Sequence, residues 1–260
     1  MFSAEPRCVY QKNQLAQVIC QLRFPEILTI AANAPAQFQE AIRGDFPRYQ
    51  AVQENPAPKL TGGPGNFQVA NQPATVNYNF ISEDGVWRIN LTSKFISLST
   101  NKYTSWEEFA GKLDKPLATF ISVYKPAYFE RVGLRYINFI SRKALDLSEP
   151  FRELIEGKYL GILADDAISE SGMIRSSMDA EFNIRGGCRV KLHAGPGVVK
   201  KGNVSDGEVK FIFDQDLYMP GNVQVNLSAG ALQTLHSQAY AIFRDAITDK
   251  LHEAMEPEAI

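Results

Sequence analysis

Two arginines on one predicted strand are the side chains best suited to bind a ligand. Arg131 and Arg135 flank Gly133 in the run 129–141, and the period-two spacing of a strand places both on one face. Gly133 leaves a gap between two guanidinium forks, a shape that suits a carboxylate, a phosphate or a flat ring. Arg23 holds the matching place in an earlier strand. Arg131, Arg135 and Arg23 are therefore the candidate ligand-binding residues.

The same arginines have a structural explanation as well. Carboxylates on neighbouring strands, such as Glu130, Asp179 and Glu181, could pair with them and hold the strands in register. The sequence leaves the choice between binding and scaffold open.

Two further motifs suggest sites only weakly. Asp214 and Asp216 alternate around Gln215 and could hold a divalent cation, but they have no recognisable third acidic partner, so no metal site is predicted. The glycine-rich run 195–203 contains two lysines. It lacks the Lys-Ser or Lys-Thr and the following helix of a phosphate-binding loop, and it is predicted to be a solvated loop.

The histidines and cysteines do not have the spacing of a recognised catalytic site. His236 and His252 are predicted to lie on one helix about 24 Å apart, too far to share a metal, and His193 ends a strand. The sequence has no GxSxG nucleophile motif. We therefore predict no catalytic residue and no cofactor, and this favours a protein that is not an enzyme. The three cysteines are Cys8, Cys20 and Cys188. They form no CxxC pair, which favours a reducing compartment.

Composition places the chain among ordinary globular proteins. It has 260 residues, of which 45% are hydrophobic and 22% charged, and a formal net charge of −2. That charge offers no bulk attraction to nucleic acid or to an anionic membrane, so neither is an expected partner. Residues 1–14 lack the apolar core of a signal peptide, and no window resembles a membrane span. The predicted location is the cytoplasm.

The hydrophobic pattern predicts an α+β fold, mostly an antiparallel sheet with flanking helices. In the first half it indicates a strand over 16–24, a short helix, a long loop over 55–66 and three strands. The capping pattern at Ser105 begins a helix that should reach Tyr124, with a kink or short break at Pro116. The second half repeats this order, with a loop over 194–207 and one amphipathic helix over 228–255, about 40 Å long.

This repeated order predicts an internal duplication of a strand-helix-three strands-helix unit. Residues 1–126 would form the first lobe and residues 127–260 the second, packed as one unit. Short echoes support the match: Leu22-Arg23-Phe24 corresponds to Leu134-Arg135-Tyr136, and Ser105 to Ser228. If the duplication is real, the lobes should pack about a pseudo-twofold axis, as one sheet or across a cleft.

Several segments resemble an uncharacterised, sporadically distributed family of bacterial proteins of about this length. The segments are 15–24, 129–138 and the closing Leu235-His236 with Phe243 and Ile247-Thr248. The resemblance implies a cytosolic bacterial protein of an accessory system, with phage defence among the candidate roles. It carries no activity to any residue.

Two functions remain in view. The first is a non-enzymatic interaction or regulatory protein, for which a protein partner or self-association is expected. The second is a binding protein for a small anionic molecule held between the lobes by Arg131 and Arg135.

Overall fold

The structure is a computed structural model that describes residues 2–54, 59–63, 66–70, 74–201 and 204–259. Short 3₁₀ turns join several of its elements. The helices are α1 (Leu28–Ala32), α2 (Ala36–Ile42), α3 (Trp106–Tyr124), α4 (Gly157–Leu160), α5 (Ser228–Ala246) and α6 (Asp249–Ala254). The strands are β1 (Cys8–Tyr10), β2 (Leu15–Arg23), β3 (Arg48–Glu54), β4 (Lys59–Gly63), β5 (Asn66–Ala70), β6 (Thr75–Ile81), β7 (Trp87–Leu91), β8 (Phe95–Thr100), β9 (Phe129–Ile140), β10 (Met178–Asn183), β11 (Arg189–Lys201), β12 (Val204–Val223) and β13 (Pro257–Ala259).

Nine of these strands form one antiparallel sheet, which confirms the predicted α+β class. Its order is β10-β11-β12-β9-β2-β8-β7-β6-β3. One side carries the buried alternate residues of the strands, for example Leu22 and Leu134, and helices α3 and α5 cover it. Residues on the opposite side, such as Arg131 and Arg135, belong to a more polar face.

The two halves use the same strand order on either side of the β2–β9 pair. In each half the first strand pairs with the last strand of a consecutive triplet, giving β2-β8-β7-β6 and β9-β12-β11-β10, and the first half adds β3 at its edge. The central register sets Gln21 opposite Gly133. A twofold axis through that pair would carry Arg23 onto Arg135, the correspondence that the sequence echoes suggest. The internal duplication itself stays a prediction.

Helix α3 begins as its sequence predicts but does not break. The Ser105 hydroxyl oxygen accepts a hydrogen bond from the backbone N–H of Glu108 at 3.1 Å, which satisfies a free donor of the first turn. The predicted short break at Pro116 is wrong, because α3 runs without interruption through 19 residues, while the alternative of a kink stays a prediction. Pro116 is buried with Leu113 and Leu117, and this packing holds the helix despite the missing backbone donor.

The single long C-terminal helix predicted for the second lobe is wrong. Helix α5 ends at Ala246, about 28 Å from its start, and Ile247 turns extended to form a bridge with Ile155. Thr248 then caps the separate helix α6, its hydroxyl oxygen accepting from the backbone N–H of Leu251. Within the part of the chain that the structure describes, no helix is long and apolar enough to cross a bilayer.

Two segments predicted as loops contain strands. The predicted loop 194–207 is mostly part of the long β11–β12 hairpin, in which Gly195 and Gly197 pair with β12, and residues 202 and 203 lie outside the described ones. Strand β4 and the start of β5 lie within the predicted loop 55–66, whose remaining residues are outside the described ones. Strand β3, which pairs with β6 at the edge of the sheet, was not predicted.

Candidate functional site

Two of the three arginines predicted to bind a ligand are held by carboxylates on the outer face of the sheet. Arg131 donates to Asp216 at 2.6 Å, and Arg135 donates from Nε to Asp214 at 2.8 Å. The pairing partners therefore come from β12, the strand beside β9, and are the two aspartates considered for a metal.

Arg131 also fills the gap that Gly133 leaves. Its guanidinium lies so close to Gly133 that a Cβ there would collide with it, and its other contact is the ring of Tyr218, 4.6 Å from the centroid. Arg23 is exposed and lies directly opposite Arg131 in the β2–β9 register. The structure thus brings Arg131 and Arg23 together across two strands, with Arg135 farther along β9. Ligand binding by the three stays a prediction.

Charge alternates strand by strand across this outer face of the second half. Lys191 on β11 pairs with Glu181 on β10, and His193 lies 2.7 Å from Asp179. The charged side chains are negative again on β12 and positive on β9. Each of these strands therefore lies beside a strand of opposite charge, an arrangement that favours one register. The arrangement is Asp179 and Glu181 on β10, Lys191 and His193 on β11, Asp214 and Asp216 on β12, and Arg131 and Arg135 on β9.

A cavity lies on the other side of the sheet, between the two halves. Its volume is about 100 Å³, and it is partly open to solvent. The first half contributes the N-terminal end of α3, and the second half contributes α5 together with the floor strands β9 and β12. Six aromatic side chains line it: Tyr10, Tyr103, Trp106, Tyr136, Tyr240 and Phe243.

A chain of hydrogen bonds crosses one wall of the cavity. A guanidinium nitrogen of Arg7 lies 2.8 Å from Nε2 of His236, and the hydroxyl of Tyr136 lies 2.8 Å from Nδ1 of the same ring. Arginine can only donate, so Nε2 of His236 accepts, and the neutral imidazole carries its hydrogen on Nδ1. Nδ1 then donates to the hydroxyl oxygen of Tyr136, which fixes the direction of the whole chain.

Burial keeps this histidine neutral. Burial, and to a smaller extent the positive charge of Arg7, lower the pKa of His236 to about 4. The other guanidinium nitrogen of Arg7 donates to Glu107 at 2.7 Å, and this hydrogen bond lowers the pKa of the Glu107 carboxyl. The positive charge of Arg7 is therefore balanced at the mouth of the cavity by Glu107.

Trp106 fixes the orientation of the imidazole. Its ring stacks on that of His236 with centroids 4.6 Å apart and planes 8° from parallel, and its indole N–H donates to Gln233 at 2.7 Å. Because Trp106 is the first residue of α3 and His236 lies in α5, this stack joins the principal helices of the two halves.

One residue of the cavity floor has a buried polar atom without a partner in the described structure. Gln215 on β12 is 2% exposed, and among the described residues its carboxamide oxygen finds no hydrogen-bond partner. Asn138, beside it on β9, does donate from its amide to the carbonyl of Phe213 at 3.3 Å. Gln215 is thus the one side chain of this floor whose polar group the protein leaves unmatched in the described structure.

Residues 5–12, here called the N-terminal strap, form the outer wall of the cavity. Besides the contacts of Arg7, the strap is held by an ion pair between Glu5 and Arg244 at 2.6 Å. The hydroxyl of Tyr240 donates to the carbonyl of Pro6 at 2.9 Å. Strand β1, within the strap, pairs with β13 from the other end of the described chain. The outer wall therefore belongs to the first half and is held in place by residues of the second half.

The remaining candidate groups lie apart from one another. His193 is exposed beside Asp179, and His252 packs against Tyr10, whose hydroxyl is 2.9 Å from its Nδ1. All three cysteines are free, and burial raises the pKa of the Cys20 thiol to about 12. In the described ranges no three His, Cys, Asp or Glu side chains are grouped as a metal site would require.

Sequence reasoning missed most of this cavity. It placed His236 on the C-terminal helix without a role, and it noted Gln215 only as the residue between two aspartates. Arg7 and Tyr136 carry no local motif, since they meet only through tertiary packing. One available signal was Gln215 itself, an amide on the apolar-facing side of a strand. No family model matches the chain, and no curated protein matches it.

Proposed function

We propose that the protein is a non-enzymatic, regulatory binding protein that holds a small ligand in the cavity between its halves. The observation that carries this proposal is the partly open cavity itself, about 100 Å³ in volume and lined by six aromatic side chains. A mostly apolar, aromatic cavity with a few convergent polar groups is the usual form of a ligand site.

The hydrogen-bond chain favours binding over catalysis. Both nitrogens of His236 are engaged, one with Arg7 and one with Tyr136, and the ring is clamped against Trp106. An imidazole held in this way is occupied in positioning its neighbours and has no free nitrogen to take a proton from a substrate.

The cavity replaces the anion site expected at the arginine pair as the main candidate. Arg131 and Arg135 each have a carboxylate partner, and Arg131 covers Gly133. An anion at that place would have to displace Asp216 or Asp214. A ligand in the cavity would displace neither carboxylate.

We also propose that the protein works in the cytoplasm of a bacterial cell, within an accessory system such as phage defence, and signals its ligand to a protein partner. The motif resemblance and the free cysteines support the setting. The position of the N-terminal strap supports the signalling, since it borders the cavity and also forms part of the surface. Partner capture with and without ligand tests this step.

The test of ligand binding is native mass spectrometry of the protein purified from its own host. The wild type should carry a small molecule that leaves on denaturation. Ala239 on α5 lines the cavity, and Ala239→Leu should fill it and remove the extra mass. Circular dichroism would verify that the variant is folded. A wild-type protein from its host with no bound small molecule would contradict the proposal.

A further inference from the structure

A second pocket lies in the second half, where the β11–β12 hairpin extends beyond strand β9. Strand β9 ends at Ile140, opposite Phe211, and the hairpin continues past this pair. The pocket has a volume of about 640 Å³, is partly open to solvent, and is formed by parts of the segments 142–152 and 169–175 together with the hairpin. Small-molecule sites usually occupy roughly 300–1,000 Å³, so this pocket is large enough for a ligand.

One wall of the second pocket continues the apolar inner face of the sheet. Phe211 is fully buried against the ring of Phe151, with centroids 5.4 Å apart. Val209, the next residue of β12 on the same face, is 40% exposed, and its partner Val198 on β11 is 46% exposed. Ile174 also lines the pocket and is fully exposed. The apolar face therefore extends beyond its cover, and apolar side chains left exposed together are typical of a binding surface.

The polar part of this lining carries more positive than negative charge. Arg142, Arg152 and Arg175 contribute three guanidinium groups, whereas Glu170 is the one carboxylate in the lining that the structure describes. Arg142 is already engaged, because it pairs with Glu170 at 2.7 Å and lies 4.2 Å from the centroid of the Phe151 ring. Two positive charges then remain without a carboxylate inside the pocket, which favours an anionic ligand.

The guanidinium groups of Arg152 and Arg175 are available to such a ligand. Arg152 pairs with Asp166 at 3.0 Å, but the Asp166 side chain is 96% exposed, so this contact contributes little stability and an anion can replace it at small cost. The carbonyl of Ile168 accepts a further hydrogen bond from Arg152 at 3.0 Å and holds its guanidinium in place. Arg175 is exposed and forms no ion pair with any residue that the structure describes.

We infer that the second pocket binds an organic anion, a molecule with a carboxylate or phosphate group and an apolar body. Arg152 and Arg175 bind the anionic group, since the planar N–H donors of a guanidinium match the oxygens of both anions. The apolar body contacts Ile174, Val198 and Val209. The second pocket shares no lining residue with the cavity between the halves, so this inference goes beyond the proposed function.

Short-chain probes test the requirement for negative charge. Hexanoate and hexyl phosphate carry the two anionic groups on a six-carbon chain, and hexylammonium carries a positive charge instead. Affinities are measured from chemical-shift titrations of the full chain. At least one anion should bind at residues 169–175 and 196–198, and hexylammonium should bind there at least about tenfold more weakly, because like charges oppose it. The anion that binds more tightly identifies the anionic group of the ligand.

Acetate and inorganic phosphate test the apolar wall, because they carry the anionic groups without the chain. Each should bind at least about tenfold more weakly than the matching six-carbon probe, since it buries no apolar surface against the valines and Ile174. Equal affinity of the short and long anions would show that the pocket attracts any anion, and this would overturn the inference.

Arg175→Gln is the test variant, because it removes the charge of an exposed side chain and leaves the core intact. It should weaken binding of the anion at least about fivefold. Arg88→Gln removes an exposed charge from β7 and should leave the affinity unchanged. Ala239→Leu, which fills the cavity between the halves, should leave it unchanged as well. Binding of neither anion, equal binding of hexylammonium, full affinity in Arg175→Gln, or loss of binding in folded Ala239→Leu would each overturn the inference.

Discussion

Arg7 donates a hydrogen bond to Nε2 of His236 at 2.8 Å across 229 positions of the chain. This contact joins the N-terminal strap to the middle of α5 and fixes the tautomer of the imidazole. Protonation of His236 would place a hydrogen on Nε2, facing a cation. The contact is therefore compatible only with the neutral ring, so stability should depend on pH.

The first prediction concerns stability in mild acid. The pKa of His236 is about 4 in the folded protein and about 6.5 in an unfolded chain, so the unfolded chain takes up the proton first as the pH falls. The free energy of unfolding should therefore be highest above pH 6.5 and decline between pH 6.5 and 4. From pH 6.5 to 5 the expected decline is about 1.5 kcal/mol.

Urea denaturation at a series of pH values measures this slope. His236→Gln, which cannot titrate, should have a flatter curve between pH 6.5 and 5 than the wild type. Nitrogen chemical shifts of the His236 ring should report protonation only near pH 4. A ring that titrates near 6.5 would contradict the structural assignment.

The second prediction compares two amides on the cavity floor. Gln215→Met removes an unmatched buried oxygen and keeps a similar volume, so it should raise the free energy of unfolding by about 1–3 kcal/mol in the ligand-free protein. Asn138→Leu removes a side chain that donates to Phe213 and should lower it by about 1 kcal/mol. Urea denaturation of both variants gives the comparison. Destabilisation by Gln215→Met would mean that the oxygen is satisfied without a ligand.

Local patterns predicted the helices and strands where local forces decide the structure. Ser105 caps α3 as expected, because a cap depends on residues within one turn. The end of α5 was missed because the apolar spacing continues through Ile247, while the break comes from a tertiary bridge to Ile155. The extended β11–β12 hairpin was missed because its glycines resemble a loop.

The cavity could not be predicted, since its polar groups come from four distant parts of the chain. Arg7, Tyr136, Gln215 and His236 are each unremarkable within their own segments. The strand carrying Arg131 and Arg135 was predicted correctly, as was their shared face. The sequence did not identify their partners, because the β9–β12 register decides which side chains of β12 lie beside these arginines, here Asp214 and Asp216.

The third prediction concerns the N-terminal strap. Arg244 is 8% exposed and donates to Glu5 and Asp249, both at 2.6 Å, and to the carbonyl of Ile247 at 3.2 Å. Arg244→Met keeps the packing volume and removes these bonds. It should lower the free energy of unfolding by about 2 kcal/mol, less than for a fully buried pair, because both carboxylates reach solvent.

Hydrogen exchange tests whether the strap depends on this arginine. Amides of residues 5–12 should exchange faster in Arg244→Met, and those of the distant strand β7 should be unchanged. Lys115→Met removes an exposed ion pair with Asp45 on the first half and serves as the control. Equal strap protection in all three proteins would show that Arg244 does not hold the strap.

The fourth prediction ranks the two arginines of β9. Arg131 is the more buried, at 19% side-chain exposure against 44% for Arg135, and it adds a contact with the ring of Tyr218 to its pairing with Asp216. Arg131→Ala should therefore lower the free energy of unfolding by about 1–2 kcal/mol.

Arg135→Ala should lower it by less than about 1 kcal/mol, because this pair is nearer the surface and is screened by solvent. Thermal denaturation at low and high salt separates the two contributions. Added salt should weaken the stabilisation by Arg135 more than that by Arg131, part of which comes from packing over Gly133 and Tyr218. If inorganic phosphate raises the melting temperature of the wild type but not of Arg131→Ala, then Arg131 binds an anion and this structural ranking is wrong.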